Sequence, residues 1–340
     1  SSVTALNGVP SISWSNLNKF NGAPLPGLLD GTPFNAVTEE DLGRNAMLSY
    51  TRVWTPNLIS ETRVGFSRLV TSRVGANPNV DAFKAGDSVV STFYPWWQDG
   101  DMTPATRRDI PGESFDGFAS QYVCMPAQTF TKAPAGYTHA EAATLTCTGV
   151  TAWRGLVVCG KVKPGDTVLV LGTGSVSLFA LQFAKAAGAR VIATSSDEEK
   201  LERLNRLGAD AVINYKAVPD WGRKARELTA GRGVDHVIEV GGPATLAQSI
   251  AACRTGGHIA LIGVLTGFAA DVSIPAVFSN QIRISGISIG SRADQEDMIR
   301  AIEINGIKPV IDRRFPLRDI AAAFTHYAAR KHFGKVCLEI

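Results

Sequence analysis

No two of the five cysteines form a CxxC pair, and neither cysteine nor histidine occurs before Cys124. The set Cys124, Cys147, Cys159, Cys253 and Cys337 is odd in number and widely spaced. That spacing argues against a disulfide framework and against a closed zinc knuckle. Net charge is also small: 34 basic against 31 acidic side chains leave a formal +3 over 340 residues, with no run of one sign. Such weak, scattered charge makes nucleic acid and membrane unexpected partners. No stretch approaches the ~20 apolar residues of a membrane span. Ser1 to Pro10 lack the basic and apolar regions of a signal peptide. The expectation is therefore a cytoplasmic protein in a reducing compartment.

What is present is ordinary globular material, 45% hydrophobic and 19% charged, in a chain long enough for two domains of ~150 residues. Its character changes near Phe83. Before that point Asn, Ser, Thr, Pro and Gly predominate; Leu48–Trp54 and Leu58–Val70 read as strands joined through Thr55-Pro56-Asn57, a hairpin by turn chemistry. Beyond it, Asp87–Val90 and Gly117–Val123 read as short strands of an irregular β domain, and a helical pattern starts at Thr138. From Val168 strand and helix alternate. Val168–Leu171, Val191–Thr194, Ala211–Ile213, Val234–Val240, His258–Gly263 and Arg283–Ile289 are the strands, and Ser196 with Glu199 forms a capping box for the helix ending at Gly208. About five βαβ units in a row predict an α/β fold with a doubly wound parallel sheet. An extended segment around Pro309–Phe315, a helix near Asp319–Ala329 and a last strand Lys335–Ile340 complete the chain.

Gly172-Thr173-Gly174 follows an all-apolar strand at once and opens a helix. A tight glycine turn there lets backbone N–H groups approach a pyrophosphate, and the helix start adds favourable partial charge. Ser177 takes the third glycine position of GxGxxG, small enough for close helix packing, and Ser175 and Val176 complete the turn. The second strand ends Thr194-Ser195-Ser196 without the acid that usually holds the ribose of NAD, and Lys200 lies one turn on. Those residues favour NADP(H), with NAD(H) as the alternative if Ser195 and Ser196 only cap the helix. Asp197 lies two residues late for the acid and suits the helix start. Phe93, Tyr94, Trp96 and Trp97 wall an apolar substrate cleft or else form a core cluster.

Several stretches in order, Phe83–Asp87, Gly117–Tyr122, Ala142–Leu145, Thr148–Trp153, Gly172–Ser177, Leu207–Asp210, Arg254–Gly257 and His332–Lys335, resemble the medium-chain dehydrogenase/reductase superfamily. The resemblance is to its zinc-independent quinone-oxidoreductase-like and alcohol-dehydrogenase-like members. It implies a doubly wound Rossmann domain at 146–307, a GroES-like irregular β catalytic domain at 85–145 and 308–340, and an atypical segment at 1–84. It places Thr151 beside the nicotinamide, Gly172, Gly174 and Ser177 under the pyrophosphate, and Ser195, Lys200 and Tyr215 around the adenosine phosphate. Gly241, Gly263, Val264, Ile289 and Gly290 would line the nicotinamide end, and Lys335 would reach the pyrophosphate. Cys147 matches a zinc ligand of the superfamily's alcohol dehydrogenases, but one thiolate makes no tetrahedral site, so no metal is expected and Cys147 is a small hydrophobe near the cleft.

The segment before Phe83 lacks the family's opening. Leu48–Arg52 and Glu61–Phe66 instead resemble strands of a TonB-dependent receptor. The expected reaction is hydride transfer between the cofactor and a carbonyl, quinone or enone, with Thr151 and Tyr94 as the hydroxyls available to the developing oxyanion. The alternative is a dinucleotide-binding protein with impaired catalysis. A homodimer through the Arg283–Ile289 strand is the assembly the resemblance suggests.

Overall fold

The computed structural model describes residues 83–340 throughout and, of the first 82, the strand segments between Ser11 and Ser67. The chain divides into two compact units, Ser1–Lys84 and Ala85–Ile340. In the first, β1 (Ser11–Ser15) pairs antiparallel with β4 (Asn45–Thr55), which pairs antiparallel with β5 (Leu58–Ser67). A short pair, β2 (Lys19–Phe20) and β3 (Ala23–Pro24), lies between them in sequence. The hairpin expected from the turn chemistry at Thr55 is β4–β5, in register from Asn45↔Ser67 to Val53↔Ile59 and shifted once before Thr55↔Leu58. The expected extension to Val70 lies outside the described residues.

The second unit opens with β6 (Val89–Ser91), antiparallel to β7 (Phe130–Lys132). A continuous helical stretch follows: α1 (His139–Ala143), a π-helical turn Leu145–Gly149, α2 (Val150–Trp153) and a second π-helical turn Arg154–Cys159. Thr138 caps it by accepting from the Glu141 amide, and Glu141 returns the bond, which satisfies two otherwise orphaned donors. The 21 residues His139–Cys159 are apolar enough to cross a bilayer by composition, which run-counting on the sequence did not anticipate, but most of the stretch is buried inside the protein.

Then comes the doubly wound sheet. Its parallel strands are β8 (Thr167–Leu171), β9 (Arg190–Ser195), β10 (Ala211–Asn214), β11 (Val234–Glu239), β12 (Cys253–Leu261) and β13 (Arg283–Gly286), in the order β10-β9-β8-β11-β12-β13. The helices are α3 (Ser175–Ala186), α4 (Glu198–Arg206), α5 (Trp221–Glu227), α6 (Pro243–Ala252), α7 (Ile274–Ser279) and α8 (Arg292–Asn305). Alternation along each strand sends neighbouring side chains to opposite faces. Val168, Val170, Ile238 and Ala260 share a cluster with Phe179, Phe183 and Met298, while Leu169, Leu171, Val237 and Ile259 share one with Trp221, Leu246 and Ile250. Helices cover both faces, so β8 and β11 are buried along their whole lengths. β14 (Ile311–Pro316), α9 (Ile320–Ala328) and β15 (Lys335–Glu339) return the chain, with β14 and β15 paired in parallel.

Four local expectations are corrected. Gly117–Val123 is loop: Ser120 bonds only to Phe118 and Tyr122 of its own segment, and no partner strand meets it among the described residues. The cap of α4 is Asp197, whose carboxylate accepts from the Lys200 amide at 3.0 Å, in place of Ser196 with Glu199. β12 begins at Cys253, its pairing to β11 interrupted by a register shift around Gly256 and Gly257. β13 stops at Gly286, short of Ile289, which turns left-handed at φ 64° and cannot continue a strand.

Candidate functional site

The sheet's strand order reverses between β8 and β11: from β8 the chain winds outward to β9 and β10, then crosses back to β11 and winds the other way. A crevice at the carboxyl ends of strands forms at such a point. Gly172 leaves β8 at φ 72° and Gly174 caps α3 in extended conformation, with no side chain bonded to the helix start. A methyl group added at either glycine would meet no atom within 4 Å. The turn therefore faces open space, as backbone approach to a phosphate group requires. Ser177 is fully buried, its hydroxyl donating to the Leu171 carbonyl at 2.7 Å. It serves the packing of α3 on β8, with its oxygen already committed. Ser175 and Val176 are half-buried on the first turn.

Three more strand ends border this crevice. At β9, Thr194 Oγ1 accepts from the Gly172 amide at 3.2 Å, and the Ser195 carbonyl accepts from the Tyr215 amide at 3.1 Å, which brings Ser195 and Tyr215 together. Ser195 is buried; Tyr215 is 41% exposed. The Lys200 ammonium is held by the carbonyls of Arg330 at 3.2 Å and His332 at 2.9 Å. It pins the loop before β15, from which the Gly334 amide donates to the Thr173 carbonyl at 3.0 Å. Lys335 follows that contact, and its charge acts on the Cys147 thiol, opposing the burial that pushes the thiol's pKa up.

At β11 the structure brings in a residue that the sequence reading passed over. Glu239 is fully buried. One carboxylate oxygen accepts from the amides of Gly241 at 2.8 Å and Gly242 at 3.0 Å and from Thr245 Oγ1 at 2.6 Å; the other accepts from Ser249. Those charge-assisted bonds shape the Gly241–Gly242 loop and the start of α6. The signal was available as a carboxylate at the end of β11, separated only by Val240 from Gly241 and Gly242. At β12, a methyl group on Gly263 would fall 1.8 Å from the Val240 carbonyl oxygen, so only glycine lets these two loops meet. Val264 beside it is 54% exposed.

Beyond β13, Ile289 and Gly290 lead into α8. An apolar cavity of about 510 Å³ opens here, lined among others by Leu246, Gly263, Val264, Phe268 and Ser288. The Tyr94 hydroxyl lies 2.8 Å from Ser288 Oγ. Thr151 is buried on α2, its hydroxyl donating to the Cys147 carbonyl at 2.5 Å, so this proton is spent within the helix. The aromatic segment is largely core: Tyr94 and Trp97 are buried, with Phe93 edge-on to Tyr94 at 4.9 Å.

Residues 175–304 match the family model described as zinc-binding dehydrogenase. A zinc-type alcohol dehydrogenase-like protein of Schizosaccharomyces pombe is 42% identical over 277 residues, 80% of each chain. The chain belongs to the medium-chain dehydrogenase/reductase superfamily. A solved structure of an alcohol dehydrogenase from Sinorhizobium meliloti 1021, itself described as putative, is 43% identical at TM-score 0.72, over 77% of both chains. An NAD-dependent alcohol dehydrogenase structure is 35% identical at TM-score 0.69, over 77% of this chain and 78% of that one. As a member of this superfamily the protein is an oxidoreductase of the dehydrogenase/reductase type, with the superfamily's Rossmann and GroES-like parts.

Zinc is the metal that the family description names. Among the described residues no three of His, Cys, Asp or Glu converge on one point. Cys147 has no such partners among the described residues.

Proposed function

We propose that this protein is a zinc-independent, NADP(H)-preferring oxidoreductase acting on a small carbonyl, quinone or enone substrate. The observation that carries the proposal is the open glycine turn at the switch point, beside a second strand that ends Thr194-Ser195 with Ser195 buried and no acid in that strand. Asp197, the nearest carboxylate in sequence, is occupied by its own helix start. Relatives of both cofactor types support the nicotinamide part: one is named NAD-dependent, and a mycobacterial relative, 32% identical at TM-score 0.58, was solved with NADPH. Relatives named acryloyl-coenzyme A reductase and 2-haloacrylate reductase support an activated alkene or carbonyl as substrate.

When bound, the nicotinamide would give hydride from C4 to the carbonyl carbon or enone β-carbon, while the oxygen or α-carbon takes up a proton. The chain's own share is placement and charge. Gly172 and Gly174 admit the pyrophosphate, Gly241 and Gly263 keep the strand-end loops low, and Val264, Ile289 and Gly290 wall the far end. With Thr151 committed to Cys147, the Tyr94–Ser288 hydroxyl pair is the donor best suited to hold the proton for the developing oxyanion. Ser195 and Tyr215 would receive the 2′-phosphate, and Lys335 would supply a cation near the pyrophosphate. We further propose that two copies associate through the β13 edge, and that the protein works in the cytoplasm. Fluorescence titration with NADPH and NADH, followed by a panel of quinones, enones and aldehydes, tests the whole. Tighter binding of NADPH with turnover supports the proposal; binding without turnover points to a dinucleotide-binding protein; no binding ends it.

A further inference from the structure

Three residues beyond Thr151 on the same helical stretch, Arg154 carries a side chain only 17% exposed. Its Nη1 donates to Asp294 Oδ2 at 2.5 Å, and its guanidinium carbon lies 4.5 Å from the centre of the Trp97 ring. The same Asp294 oxygen accepts from the Ser291 amide at 2.9 Å, and Ser291 Oγ accepts from the Asp294 amide at 3.1 Å. Just before this capped turn come Ile289, at φ 64°, and Gly290, where a methyl group would fall 2.7 Å from Val150 Cγ2 and 3.1 Å from Asp294 Oδ2. A β-branched residue in left-handed backbone persists only where its surroundings over-determine it. Here the surroundings converge on one cation. On its other side, the Trp97 carbonyl accepts from the Arg292 amide and the Gln98 carbonyl from the Ala293 amide, both at 2.9 Å, and the Tyr94 ring lies 6.2 Å from that of Trp97.

We infer, on the assignment of the Ile289 end to the nicotinamide, that Arg154 is a positioning residue for hydride transfer. Through Asp294 it fixes the 289–291 turn against Val150, and through Trp97 it ties that turn to the segment bearing Tyr94. Hydride transfer needs the donor carbon, the acceptor and the proton source in one geometry, and a small misplacement by a residue remote from the chemistry costs about 100-fold in rate. A planar guanidinium can pair with a carboxylate and stack on an indole at once, which an ammonium does less well.

The test uses the full chain and bound NADPH, whose reduced nicotinamide emits according to its surroundings, so one readout is independent of turnover. Arg154→Met should bind NADPH within about threefold of the native dissociation constant, since the glycine turn is untouched. It should lose most of the emission gain on binding and lower kcat by roughly 10- to 100-fold on the fastest substrate of the panel. Arg154→Lys keeps a cation against Asp294 and should recover part of both. Asp294→Asn should match Arg154→Met, with the double variant no worse than either, as expected of two residues in one network. A lowered Tm with native emission and native kcat per bound site overturns the inference. Should Arg154→Met fail to fold, Arg154→Lys and Trp97→Phe decide by the same readouts. Failure of the native protein to bind NADPH or NADH overturns the functional proposal itself, a result distinct from any difference between variants.

Discussion

Two glycines of the crevice make opposite demands on their side-chain space. Gly174 has extended backbone and empty space before it, so Gly174→Ala should fold with a Tm close to native and yet weaken NADPH binding by at least about tenfold, the methyl standing where a pyrophosphate approaches. Gly263→Ala should instead fail as a folded protein, or lose several kcal/mol (~3 or more), because the methyl would overlap the Val240 carbonyl. Thermal melts of both with cofactor titration of the first decide. Glu239→Gln keeps the shape and removes the charge behind four hydrogen bonds; a loss of about 1.5–3 kcal/mol in urea unfolding is expected. At this scale the glycine turn is legible in sequence because strand, turn and helix are adjacent. The role of Glu239 was not legible because its partners, the Gly241 and Gly242 amides and the Thr245 and Ser249 hydroxyls, converge on it only once the loop and α6 have folded. The Lys200 ammonium could not be traced, since its partners lie 130 and 132 residues away in sequence.

Among the elements, β11 and β12 carry an unusual row: His236 and His258 stand opposite one another, ring centres 5.8 Å apart. His236 Nε2 meets Asp166 at 3.1 Å, whereas His236 Nδ1 and both nitrogens of His258 have no hydrogen-bond partner. Burial, then the nearby His236 and Arg283, hold His258 down to about 4, and burial lowers His236 as well against the pull of Asp166 and Asp235. For a base whose folded pKa is depressed, the unfolded chain binds more protons between pH 6.5 and about 4, so stability falls as pH drops through that window and levels off below it. Asp166 and Asp235, held low by Lys163, His236, Arg232 and Arg254, lose their contribution only at lower pH, below the ordinary carboxylate range. Urea unfolding from pH 7 to pH 4.5 should therefore show a steep loss in the native protein and a shallower one in His258→Leu; equal slopes would refute it. The central strand β8 is readable as an apolar run, since both its faces are covered. Gly117–Val123 misleads because its alternation has no partner to pair with, and pairing is a tertiary property.

For the whole molecule, the sheet ends at β13, which carries the exposed Ile284, and Phe268, Ile274 and Phe278 of the segments before it are exposed as well. An unpaired apolar edge of this kind is a template for pairing with another chain. If two copies join there about a twofold axis, Ile284→Lys places like charges opposite each other and should convert a dimer to monomer in sedimentation; a monomeric native protein would end that proposal. The superfamily was legible from motifs spread over the later part of the chain.

The contact between Gly334 and Thr173 has a consequence for biosynthesis. The floor of the crevice is encoded around Gly172–Gly174, but the loop leaning on it, and the carbonyls that hold Lys200, lie far downstream in the sequence. A nascent polypeptide can thus form its glycine turn early and still lack a finished binding wall until Arg330–Gly334 have emerged, so a chain cut after Ala329 would fold its sheet around an incomplete crevice.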